Sequence, residues 1–467
     1  MRWTRGGFVA LSAFLAAPVP AMSVLAMSVL ATAPLEAAPR VSHKQVQEIK
    51  VSDKSGSTLQ SMTRTADGRI VALLGPSQQG GFSIGSFFKK PEAAIQVFDK
   101  DGSQLKRWKI AISGQAIGSG PDGAIYVGGN GKIVKYDADG AVLKEIALPH
   151  LAALIADKEG LKQRALEQIE NQKKSNEQMK KVYADQIEVL KKQIAKIEET
   201  ATEDLSDADK RKTKRLKSQL TMYQSIRFPD RDDDTKVETV IQQLVQRASS
   251  ISGISVTAAD VFVVTGEEKG YGFAAWRMDQ NFENPTKVLS ELRGCCGQMD
   301  VQAVGNELFV AENTKHRVGR YDRDGKRIEE FGSTASRTNA DGFGGCCNPM
   351  NVCFGPEGQI LTAESEGIIR RFSPTGEYLG LVGRVTLTGG CKNVALSATA
   401  DGERVYFCDL PGSRIIVMGP VTDAAEAEAL AVPPKPTAAE LAASADEDTD
   451  EADDADAEEL EAKEDVE

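Results

Sequence analysis

Two series of short turns, interleaved along the chain, limit what it can fold into. The first reads TADG (Thr65–Gly68), PDG (Pro121–Gly123), PEG (Pro356–Gly358) and ADG (Ala400–Gly402), and hydrophobic β-type runs such as AIYVGG and RVYFCD follow these turns. The second reads DKDG (Asp99–Gly102), DADG (Asp137–Gly140), DRDG (Asp322–Gly325) and SPTG (Ser373–Gly376), each after a run with Phe or Tyr at its end. Glycine at these corners supplies the positive φ that tight hairpins need. Two hairpin corners per repeat imply four antiparallel strands, a to d.

Repeats begin near Thr58, Gly114, Ile251, Gly294, Gly345 and Gly390, and the third is degenerate at both turns. The sixth stops at RIIVMGP after three strands, while QVQEIKV (Gln45–Val51) has no repeat of its own. An open sheet edge invites unwanted pairing, so the simplest closure makes this N-terminal segment the missing outer strand of the last repeat. The expectation is a mostly β chain forming a six-bladed β-propeller.

One repeat carries a more specific likeness. VAENTKHRVGRYDRDGKRIEEFG (Val310–Gly332) resembles an NHL repeat, matching it at His316, Arg317, Tyr321, Asp322 and Gly325, with Glu312 in place of the usual Asp and Lys315 in place of Asn. The resemblance implies an NHL-like propeller and says far more about fold than about function.

Residues 151–250 break the β pattern. Tyr183, Ile187, Leu190, Ile194, Ile197 and Ala201 form a heptad seam, answered by Leu205, Leu216, Leu220 and Tyr223 around a capping box at Ser206 and Asp209. Pro229 and RDDD end that helix, and a third, Val237 to Arg247, leads back to the β repeats. An α-helical hairpin insertion is expected, either a solvated coiled-coil ornament or a partner-docking arm.

Of 467 residues, 41% are hydrophobic and 27% charged, a globular balance, and the net charge is −12. That charge belongs to the C-terminus: residues 421–467 carry two Lys and eighteen Asp or Glu, whereas residues 39–420 sum to +3. A nearly neutral main body argues against a dedicated nucleic-acid binder, which clusters Lys and Arg to displace counterions. Residues 421–467 are expected to form a disordered acidic tail. An EF-hand reading of Asp446, Asp448 and Asp450 fails, because Glu451 stands where Gly is needed and Ala457 where Glu is needed. At the other end, Arg2 and Arg5 precede an uncharged run from Gly6 to Leu35 that closes on small residues. This is the pattern of a signal peptide over residues 1–38, with an uncleaved anchor as the alternative. The expected organisation is therefore a signal peptide (1–38), the closing strand with blades one and two (39–150), the helical insertion (151–250), blades three to six (251–420) and the tail (421–467). Export to the periplasm, cell surface or medium follows. There, seven cysteines imply disulfides and an odd thiol.

In a four-stranded blade the a–b and c–d turns share one face, and the b–c loops and d–a crossings share the other. The elaborations fall on the second: the b–c loop 75–93, the helical insertion and the d–a loop 333–345. Function concentrates on loops held by a rigid scaffold, so this face is the candidate. Cys295, Cys296, Cys346, Cys347 and Cys391 belong to the same side, around one sector of the central opening. Disulfides are their expected state. A thiolate-bound metal or iron–sulfur cluster, or thiol exchange, is the alternative, although no C-x-x-C occurs and the sequence requires no cofactor. Cys353 and Cys408 fall within strands and are expected to be core thiols.

Asp300, Asn351 and Asn393 head inner strands at the channel mouth, where they resemble part of the cation-binding set of six-bladed lactonases. A metal-dependent hydrolase is therefore the third reading. The three histidines, His43, His150 and His316, assemble no zinc triad in the sequence pattern. The leading expectation is an exported scaffold rather than an enzyme, binding a protein or cell-envelope partner. Its contact residues would be Glu312, Lys315, His316, Arg317 and Glu364, and it would touch a membrane only through an uncleaved N-terminus.

Overall fold

The computed structural model describes residues 41–51, 56–76, 92–200, 206–227, 233–268, 272–295, 297–334, 341–345, 347–388 and 394–431. The expected signal peptide lies outside the described residues. Strand β1 (His43–Lys50) opens the fold. The first sheet follows with β2 (Thr58–Arg64), β3 (Ile70–Gly75), β4 (Ala94–Phe98) and β5 (Gln104–Lys109), and the second with β6 (Ala116–Ser119), β7 (Ile125–Gly129), β8 (Lys132–Tyr136) and β9 (Val142–Ala147). The third holds β10 (Ile251–Val256), β11 (Asp260–Gly266), β12 (Phe273–Asp279) and β13 (Thr286–Leu292). The fourth holds β14 (Asp300–Val304), β15 (Glu307–Glu312), β16 (Arg317–Asp322) and β17 (Arg327–Phe331), and the fifth β18 (Asn351–Phe354), β19 (Ile360–Ala363), β20 (Ile368–Phe372) and β21 (Tyr378–Arg384). The last holds β22 (Val394–Ala398), β23 (Val405–Asp409) and β24 (Arg414–Pro420), and β1 completes it from outside, pairing with β24 from His43 opposite Pro420 to Lys50 opposite Arg414.

These six four-stranded antiparallel sheets match a β-propeller. Their first strands lie against one another in the cyclic order β2, β6, β10, β14, β18, β22 and back to β2. Second strands such as IVALLG in β3 and DVFVVTG in β11 are buried throughout, as strands covered on both faces must be, and they read as continuous apolar runs. Outer strands such as QLKRWK in β5 and RIEEF in β17 are polar and largely exposed, which guards their edges. Apolar cores fill the gaps between neighbouring sheets. Val71, Ile95, Ile117 and Val127 join the first sheet to the second, and Ile49, Leu74, Tyr406 and Val417 join the last to the first.

The c–d corners share one device. Asp99, Asp137, Asp279 and Asp322 each accept, through Oδ1, the backbone N–H groups two and four residues on, at 2.8–3.0 Å. The Ser373 hydroxyl does the same in the fifth sheet. The third repeat, degenerate in sequence, keeps this geometry: Phe282 (φ 59°) takes the left-handed conformation that Gly102, Gly140, Gly325 and Gly376 supply elsewhere. Such a residue costs about 1–2 kcal/mol in strain, which the burial of Phe282 edge-on to Tyr126 offsets.

Between β9 and β10 rise four helices, α1 (Pro149–Ala156), α2 (Lys158–Thr200), α3 (Asp207–Ser225) and α4 (Asp233–Ala248). The first long helix starts well before its heptad seam, so the expected hairpin becomes a 43-residue helix, about 65 Å long, with α3 and α4 packed back along it. Distally, Leu190, Ile194 and Ile197 meet Leu216, Leu220 and Tyr223, and the Tyr183 and Tyr223 rings stand 5.5 Å apart. Ser206 caps α3 by accepting the Asp209 N–H. At the root, Leu148, Leu151, Leu154 and Leu161 enter the core between the second and third sheets. There His150 stacks on Trp276 at 5.0 Å and donates to the Ala248 carbonyl.

Part of the segment expected as tail is helical. Residues 424–431 form a fifth helix, α5 (Ala424–Ala431), whose Ala427 is buried and accepts the Val41 N–H, while Glu426 pairs with Lys44 at 2.7 Å. Residues 432–467 lie outside the described residues. Among the described residues, no helix is long and apolar enough to cross a membrane.

Candidate functional site

The b–c corners of the last three sheets repeat one buried ion pair. Glu312 ends β15 and Arg317 begins β16 opposite it, with Nε 2.7 Å from the carboxylate. Glu364, just after β19, meets Arg370 of β20 at 2.5 Å, and Asp409 of β23 meets Arg414 of β24 at 2.9 Å. Glu312 and Glu364 are each only 1% exposed. Both carboxylates, expected as contact residues, turn inward and brace their own corners. Arg317 is also engaged, reaching Glu330 at 2.5 Å, and its guanidinium is held further toward the charged form by Glu312 against the opposing effect of desolvation. Lys315 pairs with Glu312 at 2.9 Å but leaves 40% of its side chain exposed, and His316, half-buried, adopts φ 50° beside it. These two residues remain on the surface.

The first strands of all six sheets line an axial cavity of about 560 Å³. Asp300, 4% exposed, accepts the Val352 N–H of the neighbouring inner strand at 2.8 Å and a second bond from Gln302. Asn351 repeats the first contact one sheet on, accepting the Leu396 N–H at 2.8 Å. Burial pushes the Asp300 carboxyl up to about 7, against the pull of those two donors. Of the three residues that resemble a lactonase cation set, two are described. Asp300 and Asn351 stand opposite Ala311 and Ala363, each next to the corner acid, but the residue opposite Cys408, next to Asp409, is Ala395. Asn393 therefore stands two residues ahead of the equivalent position, and it lies outside the described residues. Among the described residues, no group of three His, Cys, Asp or Glu converges to hold a metal ion.

Gln298 was not singled out by the sequence. Its amide donates to the carbonyls of Met350 and Val394 at 3.1 and 2.7 Å and accepts the Val394 N–H, tying three consecutive sheets together at the cavity rim. The buried Asn313 accepts the Cys295 N–H at 2.8 Å, fixing the approach to β14. Cys295 packs against the core that contains the fully buried Cys347, so two successive d–a segments bring sulfur to one place. Cys296, Cys346 and Cys391 lie outside the described residues. Cys353 and Cys408 are buried thiols within β18 and β23, and desolvation pushes both far up, away from the thiolate.

A second feature escaped the sequence reading. Six of the eight residues from Lys210 to Lys217 are Lys or Arg, all exposed on α3. The near-zero charge of the main body concealed them because acids elsewhere cancel the sum.

No protein-family model matches the chain, and no curated protein matches it. Among solved structures, a catalytically inactive virginiamycin B lyase from Staphylococcus aureus with quinupristin superposes with TM-score 0.39 at 11% identity, covering 81% of this chain and 100% of that one. The Neurospora crassa Pan2 WD40 domain gives 0.37 at 10% identity over 82% of this chain and 98% of that one. The RRP9 WD40 repeats give 0.38 at 8% identity over 82% and 84%.

Proposed function

We propose that the chain is an exported, six-bladed, NHL-like propeller that acts as an interaction scaffold, its arm-bearing face binding a protein or cell-envelope partner. The observation that carries this reading is the arm itself: a 43-residue helix, mostly polar and exposed, anchored through buried leucines and the His150–Trp276 stack. An extension rooted so firmly holds its distal surface at a fixed place relative to the sheets, as a docking element requires. Exposed apolar side chains at Val182, Val189 and Met222 add contact area along it. A photo-crosslinking residue placed at Val189 in cells should give discrete adducts, while one at Asp139 on the opposite face should not. Adducts at neither position, or at Asp139 alone, would remove the arm from the interaction. N-terminal sequencing tests export: a mature chain should begin close to residue 39.

The alternative, a thiolate metal or redox centre, draws on the convergence of Cys295 and Cys347 at one core. Elemental analysis and a visible spectrum of anaerobically purified protein decide it, and a colourless, metal-free sample with no exchangeable thiol would exclude it.

A further inference from the structure

The arm carries a groove between α2 and α3 with a volume of about 610 Å³, lined by Glu198, Lys210, Thr213, Lys214, Lys217 and Ser218 with Thr221. Lys210, Lys214 and Lys217 recur at the spacing that stacks side chains on one helix face. Arg211, Lys212 and Arg215 are exposed beside them. Among the described residues, Lys217 is the one α3 cation with a carboxylate partner, Glu198 at 2.8 Å. Thr213 is only 6% exposed, yet its hydroxyl has no hydrogen-bond partner. A buried donor without an acceptor, flanked by unpaired ammonium groups, is a half-built anion site.

We infer that this groove binds the carboxylate-rich C-terminal segment, residues 446–467, of a second copy of the chain. The inference rests on the reading of the arm as a docking element and names its partner. Charge complementarity is direct: the segment holds fourteen Asp or Glu among 22 residues, against six cations on α3. A carboxylate oxygen is the acceptor that the Thr213 hydroxyl lacks, and flanking lysines pair with its neighbours. The 36 residues after Ala431 extend to at most about 130 Å, and holding them extended costs entropy that binding a second copy avoids. The last described helix, α5, packs on β21 of the fifth sheet, whereas the arm springs from the second, which is opposite in the cyclic order. The tail would have to cross the sheets and then climb most of a helix about 65 Å long to meet its own α3. The resulting contact runs from the arm of one copy to the tail of another, so association should grow with concentration, whether two copies exchange tails or the contact continues to a third.

Full-length protein tests this by sedimentation velocity at about 50 mM and about 500 mM salt, since exposed charge pairs lose most of their attraction over that range. Concentration-dependent association is expected at low salt, weakened at least about tenfold at high salt. It should be lost in Lys210→Glu/Lys214→Glu, whose exposed positions leave helix content unchanged by circular dichroism. Carbodiimide coupling of mixed 15N-labelled and unlabelled protein should give mixed-isotope links from Lys210 or Lys214 to acids of residues 446–467. A monomer at both salt concentrations, links within one isotope only, or association indifferent to the double variant would each overturn the inference. A monomer that still forms arm photo-adducts in cells would overturn it while leaving the arm a docking element for another partner.

Discussion

Asp300 shows how a single residue records its surroundings. Its carboxyl, shut between two inner strands, sits near 7 because ionisation there loses solvation that the Val352 and Gln302 donors only partly replace. A folded-state value raised above the unfolded one makes the native state bind the proton more tightly. The associated stability is therefore full below about pH 4 and is lost as pH rises toward about 7. Asn351 makes the equivalent contact without charge. Asp300→Asn should accordingly remove the pH slope between about 4 and 7 and stabilise the protein by on the order of 2–4 kcal/mol at about pH 8, read from urea unfolding. Parallel slopes for the two proteins would refute this account. The sequence placed Asp300 and Asn351 at the channel mouth. It could not show their main-chain partners, which lie about fifty residues away. It also set Asn393 beside Asp300 and Asn351, whereas the equivalent position is fixed by what lies opposite on β23 and is held by Ala395. A usable signal for the buried carboxylates was present: an acid followed five or six residues later by Arg, three times over, at Glu312, Glu364 and Asp409. Arg370 makes Glu364→Ala a demanding change. It removes the carboxylate that the buried Arg370 guanidinium meets and should cost about 3–5 kcal/mol in urea unfolding, whereas truncating exposed Lys315 should change stability by less than about 1 kcal/mol.

Among elements, the corners were the most legible, because a tight turn needs particular chemistry at particular positions and leaves it in the sequence. Gly325 needs both freedoms that glycine provides: its φ is 88°, and a Cβ there would lie 1.8 Å from the Val288 carbonyl of the neighbouring sheet. Gly123 has φ 79° with nothing within 4 Å. Gly123→Ala should therefore cost about 1–2 kcal/mol through backbone strain alone, and Gly325→Ala distinctly more, compared by thermal melts of the two variants. Equal costs would mean that the close approach to Val288 relaxes freely. The third sheet was hard to read for the complementary reason, since Phe282 adopts the left-handed conformation without the glycine that would announce it. The length of α2 was hidden too. Residues 158–182 show little apolar periodicity, and what holds them is α4 and the root packing rather than a seam of their own.

At the scale of the whole molecule, β1 pairs with β24, and Ile49 and Val51 enter the core between the last sheet and the first. Removing residues 41–51 should expose the full edge of β24 and produce aggregation-prone protein with an early, broad unfolding transition. A sharp transition at the original temperature would show that the strand is dispensable. Gln45–Val51 and RIIVMGP were readable as partners only after the repeats had been counted and one strand found wanting. The pairing also sets a timetable for biosynthesis. Strand β1, made before any other described strand, finds its neighbour only when β24, the last of them, has been made, so the final clasp cannot snap shut early on a nascent chain. Until then five complete sheets wait with a gap between their first and last members, and any factor that guards the newborn protein has its longest task at its amino terminus.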